Sequence, residues 1–299
     1  PGVTPDGWDS RELLEPSKGE GTRTFDDEGD VGVLRTWRAM CPELQALWPE
    51  AARPEQWRGV TIESGRVVEL DLVDLGLTGA VPAEIGRLSA LRALMLIRNK
   101  LTSVPAEIGL LTSLEGLWLG CNRLTSLPAW IGQLTSLRWL DLGFNPLTSL
   151  PAEIGQLASL EKLYLIGNQL TSLPAEIGQL TSLRELNLGG NQLTSLPAEI
   201  GQLTSLRELY LIGIQLTSLP AEIGQLTSLE KLYLNNNKLT SLPAEIGQLT
   251  SLRELYLDRR TSVYNPRTSM SAAIRELIAA GCRVHLGLGV TFDMRDSSL

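Results

Sequence analysis

Leucine recurs along this chain on a fixed grid. The pattern L-x-x-L-x-L opens at Val67, Leu91, Leu114, Leu137, Leu160, Leu183, Leu206, Leu229 and Leu252. A polar stretch follows each opening. Then comes Leu-Thr-Ser-Leu-Pro-Ala-Glu or a near copy, starting at Leu101, Leu124, Leu147, Leu170, Leu193, Leu216 and Leu239, always 23 residues apart. One more copy starts at Leu77, 24 residues before Leu101, with a single residue inserted. Alternation within L-x-x-L-x-L predicts one short strand per unit, its leucines on one face. The openings predict nine strands, and a degenerate stretch at Val284–Leu286 gives a tenth. Pro fits a first helical turn and Gly ends one, so Pro-Ala-Glu-Ile-Gly predicts a short helical turn in each unit.

No single unit can bury its leucines, so the units must stack, with parallel strands about 4.8 Å apart on one side and the helical turns on the other. The ninth position of the unit is Asn99, Asn122, Asn145, Asn168, Asn191 and Asn237. These side chains are expected to turn inward as a buried ladder that satisfies loop backbone groups. Ile214 and Arg260 interrupt it. Open ends of such a stack need covers. Val31–Met40 reads as a helix, with Trp48 and Trp57 packing on the first unit. Ala272–Ala280 is helix-rich and Gly281 stops it. Arg259–Thr268 reads as an irregular loop. The chain thus divides into an acidic, weakly structured arm (1–30), an N-terminal cap (31–66), the repeat array (67–258) and a C-terminal cap and tail (259–299).

The unit L-x-x-L-x-L-x-x-N-x-L-T-S-L-P-A-E-I-G-Q-L-T-S resembles the leucine-rich repeat, and its Leu-Pro-Ala-Glu-Ile-Gly-Gln-Leu segment resembles the Ras-group class of that family. The entry region is similar to the N-terminal cap and first repeat of plant-type receptors: Glu55-Gln56-Trp57-Arg58-Gly59-Val60, then Gly65–Leu72 and Leu77-Thr78-Gly79. The resemblance implies an α/β solenoid, a horseshoe of about nine to ten parallel concave strands with short convex helical turns and helical caps. The Ras-group class is mostly intracellular and non-catalytic. Plant-type caps usually carry paired Cys around Trp-x-Gly-Val, whereas here Thr61 follows Val60.

Composition narrows the function. With one His in 299 residues, His-based triads and multi-His metal sites are almost excluded. Phosphate-cradling, zinc-finger and dinucleotide signatures are missing, and no cofactor is expected. The net charge is −8, of which the first thirty residues carry −6. The remaining body is nearly neutral, which argues against nucleic-acid binding. No apolar run approaches the ~20 residues of a membrane span. Cys41, Cys121 and Cys282 fall in different parts of the stack; the last two are about 34 Å apart by strand count, far beyond disulfide reach. Three unpaired thiols suit a reducing, cytoplasmic compartment, with an extracellular location as the alternative.

Function is then sought where the units differ. The convex segment is copied almost verbatim, but outward-pointing strand positions are not. The fifth position is Asp71, Met95, Trp118, Asp141, Tyr164, Asn187, Tyr210, Tyr233 and Tyr256. The third includes Trp139, and the eighth includes Arg98, Cys121 and Phe144. Only 5% of residues are aromatic, yet two Trp, one Phe and four Tyr sit on this strip. Rigid aromatics anchor protein contacts. The expected function is a non-enzymatic scaffold binding a protein or peptide on its concave face through Met95, Trp118, Trp139, Asp141, Phe144, Tyr164, Tyr210, Tyr233 and Tyr256, with the monomer favoured. The tyrosine row has a second reading, repeat inheritance with stacking between strands. Glu161/Arg184, Lys162/Glu185, Arg207/Glu230 and Glu208/Lys231 are expected to pair across strands as a structural ladder. Trp130, where other units have Glu, is either a second contact or a local packing substitution. Two further readings are an extracellular ectodomain binding glycan or protein, and a lattice-matching surface built from the Thr102–Thr240 hydroxyl row.

Overall fold

A computed structural model describes residues 29–78, 80–258, 272–287 and 291–292. Most of the acidic arm, the Arg259–Thr268 loop and Arg260 lie outside these residues. The chain opens with two helices, α1 (Asp30–Met40) and α2 (Pro42–Leu47). An antiparallel hairpin follows, β1 (Val60–Glu63) with β2 (Arg66–Asp71). Then come eight short strands: β3 (Ala93–Met95), β4 (Gly116–Trp118), β5 (Trp139–Asp141), β6 (Lys162–Tyr164), β7 (Glu185–Asn187), β8 (Glu208–Tyr210), β9 (Lys231–Tyr233) and β10 (Glu254–Leu257). Helix α3 (Ala272–Ala279) leads to β11 (Arg283–Leu286) and the two-residue β12 (Thr291–Phe292). All twelve strands form one sheet in sequence order. From β2 to β11 every pairing is parallel, so the ten strands expected from the leucine grid are present. The antiparallel strands β1 and β12 close its two edges.

Register follows the leucines. Leu70, Leu94, Leu117, Leu140, Leu163, Leu186, Leu209, Leu232, Leu255 and Val284 are successive partners across the sheet. All ten are buried at 1% exposure or less, in one core that runs the length of the stack. Each helical turn is a 3-10 turn, from Ala83–Arg87 to Ala244–Gln248. Its glycine answers to close packing between turns: a β-carbon on Gly178 would stand 2.6 Å from the Glu199 carbonyl oxygen. The asparagine ladder forms as expected. Asn168 accepts from Leu147 N–H at 3.1 Å and donates to the carbonyls of Leu142 (3.0 Å) and Leu165 (2.9 Å). Asn237 makes the same bonds half-buried, and Ile214 replaces the polar rung with a fully buried apolar one.

The N-terminal cover is held without a disulfide, all three cysteines being free. Trp48 stacks on Trp57 at 5.2 Å and meets Trp37 edge-on at 6.5 Å. The Trp48 and Trp57 indoles donate to the Arg58 and Pro49 carbonyls. Asp30 at the start of α1 accepts from the Val67 amide (2.8 Å) and from Arg66 Nε (3.0 Å), tying the helix to the first repeat strand. Trp130 is 7% exposed within the core cluster, so it is a packing substitution.

Candidate functional site

Four rows of side chains leave the sheet on its outward face: the third, fifth, seventh and eighth positions of each unit. In the C-terminal half the fifth row turns on itself. Tyr210, Tyr233, Tyr256 and His285 stack face to face at 4.3–4.4 Å. The Tyr210 hydroxyl donates to Glu208 and the Tyr256 hydroxyl to Glu254. Their facing ring surfaces cover one another, as the stacking reading expects. Beside them the charge ladder forms all four expected pairs: Arg184–Glu161 at 3.8 Å, Lys162–Glu185 at 3.3 Å, Arg207–Glu230 at 3.4 Å and Lys231–Glu208 at 2.9 Å.

The N-terminal half differs. Trp118 folds back over its own strand, where a β-carbon on Gly116 would collide with the indole. Trp139 is half-buried beneath the Arg138 guanidinium, whose Cζ lies 4.8 Å from the ring centroid. Phe144 is 50% exposed and leans on the next rung, where a β-carbon on Gly167 would come within 2.6 Å of the phenyl ring. Each aromatic departure from the repeat thus has a glycine or a guanidinium beside it. Met95 corrects one expectation: it is only 5% exposed and is not available for contact. It lies in register with Trp118, and Ala93 with Gly116.

Asp141 sits between Trp118 and Tyr164 in register. Its Oδ1 accepts the Gly143 amide at 2.8 Å. Asp71 with Val73 (3.3 Å) and Asn187 with Gly189 (3.1 Å) form the same turn-closing bond at the equivalent rungs. Oδ2 leans the other way, so that a β-carbon on Gly120 would come within 2.7 Å of it. Burial pushes the Asp141 carboxyl up to about 6, and the Gly143 amide offsets only part of this. Among the described residues no cation reaches it within ion-pair distance, whereas Glu185, Glu208 and Glu254 each have one. Burial also raises Cys121, with the Asp141 charge adding to it and Arg98 opposing.

The eighth row holds a backbone feature that the sequence reading missed. It is left-handed at every described rung, with φ of 56° at Arg98, 55° at Cys121 and 53° at Phe144. The next three rungs use Gly167, Gly190 and Gly213 for the same conformation.

Two family models match the chain: leucine-rich repeat region at residues 131–218 and 200–278, and leucine rich repeat at 89–147. The chain is a leucine-rich-repeat protein. Neither matched model is of a catalytic domain. Among solved structures it is similar to a leucine-rich-repeat protein of Leptospira interrogans, with 42% identity, a TM-score of 0.57, and 62% of this chain and 53% of that one covered. It is also similar to the plant peptide hormone receptor RGFR1 in complex with RGF2, with 34% identity, a TM-score of 0.62, and coverage of 68% and 37%. A third is the Arabidopsis receptor kinase HAESA ectodomain in complex with an IDA peptide hormone, with 29% identity, a TM-score of 0.66, and coverage of 77% and 42%. The chain spans about half or less of each of these structures.

As a leucine-rich-repeat protein it brings Trp118, Trp139, Asp141, Phe144 and Tyr164 together on adjacent rungs, and separates them from Tyr210, Tyr233 and Tyr256. The seventh row also went unread in the sequence. It presents Ile97, Ile166 and Ile212, with a two-rung gap at Gly120 and Gly143. Among the described residues no helix is long and apolar enough to cross a membrane, and no group of three or more His, Cys, Asp or Glu is placed to hold a metal ion.

Proposed function

We propose that the protein is a non-enzymatic scaffold that binds a protein or peptide on the N-terminal half of its concave face, centred on Trp118, Trp139, Asp141, Phe144 and Tyr164. One observation carries this reading. Arg98, Cys121 and Phe144 hold a left-handed backbone that costs a non-glycine residue about 1 kcal/mol or more, while the next three units use glycine. Strain kept at consecutive rungs of one face, beside half-buried aromatics, marks side chains that do something other than stabilise the fold. Peptide hormones bound by RGFR1 and HAESA support the class of partner.

The same matches favour an extracellular location over the cytoplasmic one, since HAESA is matched through its ectodomain. Buried Cys41 and Cys282 remain reduced in either compartment, burial raising the Cys282 thiol to about 12. We further infer a Ras-group-like repeat closed by a plant-receptor-like entry cap at 31–66, a reading supported by the Leu-Pro-Ala-Glu-Ile-Gly-Gln-Leu segment and the Trp48–Trp57 stack.

Panning a random-sequence displayed peptide library on the folded protein tests the function. Selected peptides are expected to bind wild type and to lose binding to a Trp118→Ala/Trp139→Ala variant whose circular dichroism is unchanged. A library that enriches nothing, or peptides that bind the double variant equally well, refutes it.

A further inference from the structure

Asp141 holds a charge that the fold does not need. Its turn-closing bond to Gly143 is made equally by the uncharged Asn187 to Gly189, two rungs along in the same row. A neutral amide therefore serves the backbone, and the negative charge is surplus to structure. Burial makes that charge unfavourable, and no cation within the described residues offsets it. Its free oxygen leans toward Gly120, in the two-rung gap of the seventh row between Ile97 and Ile166. Trp118 and Tyr164 flank it on the neighbouring strands, and exposed Phe144 stands three residues on. A carboxylate flanked by aromatic residues on the neighbouring strands is the complement of a guanidinium or ammonium group, which gains a charge-assisted hydrogen bond and can lie against an aromatic ring. The face already shows half of that arrangement internally, with Arg138 over Trp139.

We propose that the concave face recognises an extended peptide segment by inserting one of its Arg or Lys side chains between Trp118 and Tyr164 onto Asp141 Oδ2. This rests on the peptide-binding reading above and names the chemistry of the partner. An extended segment fits because the eighth row changes to glycine at Gly167, Gly190 and Gly213, leaving a low floor beside the aromatic wall. From Arg98 to Gly213 the row spans about 24 Å at the usual strand spacing, room for about seven extended residues. The cations of the third row are engaged: Lys162 with Glu185, Lys231 with Glu208 and Arg283 with Glu254.

The test uses peptides selected from the random library on the wild-type protein. The expected result is one position strongly enriched in Arg or Lys. The best binder is then remade with citrulline or norleucine at that position and titrated against wild type and Asp141→Asn. Loss of either charge alone is expected to weaken binding about 10- to 100-fold, and losing both to cost little more than losing one. Peptides that bind without a basic residue overturn this inference but keep the binding function, as does equal binding of the citrulline form. An effect of Asp141→Asn that is the same for charged and neutral peptides also overturns it. A library that yields no binders overturns both readings.

Discussion

Replacing Asp141 by Asn should stabilise the protein, and the amount should depend on pH. The asparagine keeps the oxygen that accepts the Gly143 amide, as Asn187 does with Gly189. Only the charge is lost. The Asp141 carboxyl is raised from 3.8 to about 6 in the folded protein, chiefly by burial. At about 1.4 kcal/mol per pH unit this is about 2–3 kcal/mol once partial solvent access is allowed for. Well below pH 3.8 the group is protonated in both states and its charge contributes nothing. As pH rises toward 6 the unfolded chain releases its proton first, so the folded state is progressively disfavoured; above that the full cost applies. The stability difference between Asp141→Asn and wild type should therefore be near zero at pH 3.5 and about 2–3 kcal/mol at pH 7.5. Urea titrations followed by circular dichroism across that range would measure it, other carboxylates cancelling in the difference. A difference independent of pH, or an Asn variant less stable than wild type at pH 7.5, would refute the claim that a half-buried, uncompensated charge sits on this face.

Three further outcomes follow from the same geometry. Burial lowers the His285 pKa in the folded protein, so stability should fall as pH drops through the ordinary histidine range; His285→Phe keeps the stack on Tyr256 and should hold Arg283–Leu286 amide protection factors constant between pH 7 and 5.5, where wild type loses protection. Asn168→Ala strands three buried backbone groups and should cost about 3 kcal/mol, against about 1 kcal/mol for half-buried Asn237→Ala; equal urea midpoints would show that the ladder is not limiting. Cys121→Gly relieves a left-handed backbone and should gain about 1 kcal/mol, so a lowered thermal midpoint would mean that the thiol's packing outweighs the strain.

The architecture was legible in the sequence because it follows from periodicity alone. A 23-residue spacing of leucines leaves one way to bury them, so the parallel strands, their register and the asparagine ladder could be read from spacing, and the helical caps from composition at the open ends. The site was legible only in outline. Trp118 and Trp139 stood out by breaking the pattern and Phe144 as an aromatic on the varying strip, but the posture of Trp118 and Phe144 depends on Gly116 and Gly167, residues that carry no signal until the rows are in register. Met95 failed too: period-two alternation sends it outward, yet it is buried. The edge strands β1 and β12 lie outside the repeat, so periodicity could not announce them. Positive φ at the eighth row is a backbone property, hidden wherever the residue is not glycine.

The two halves of the array therefore serve different ends. From β7 onward the outward rows are spent on one another: tyrosine faces cover tyrosine faces, carboxylates meet lysines, and glycine occupies most left-handed positions. Each of those choices lowers the free energy of the stack. From β3 to β6 the choices raise it, through left-handed Arg98, Cys121 and Phe144, an exposed phenyl ring and an unpaired carboxylate. A repeat protein can carry such a segment because neighbouring units stabilise it through shared interfaces. The C-terminal rungs supply stability that the N-terminal rungs give up. On this reasoning, rewriting Phe144 as glycine and Asp141 as asparagine, both already used on later rungs, yields a protein that folds better and recognises less.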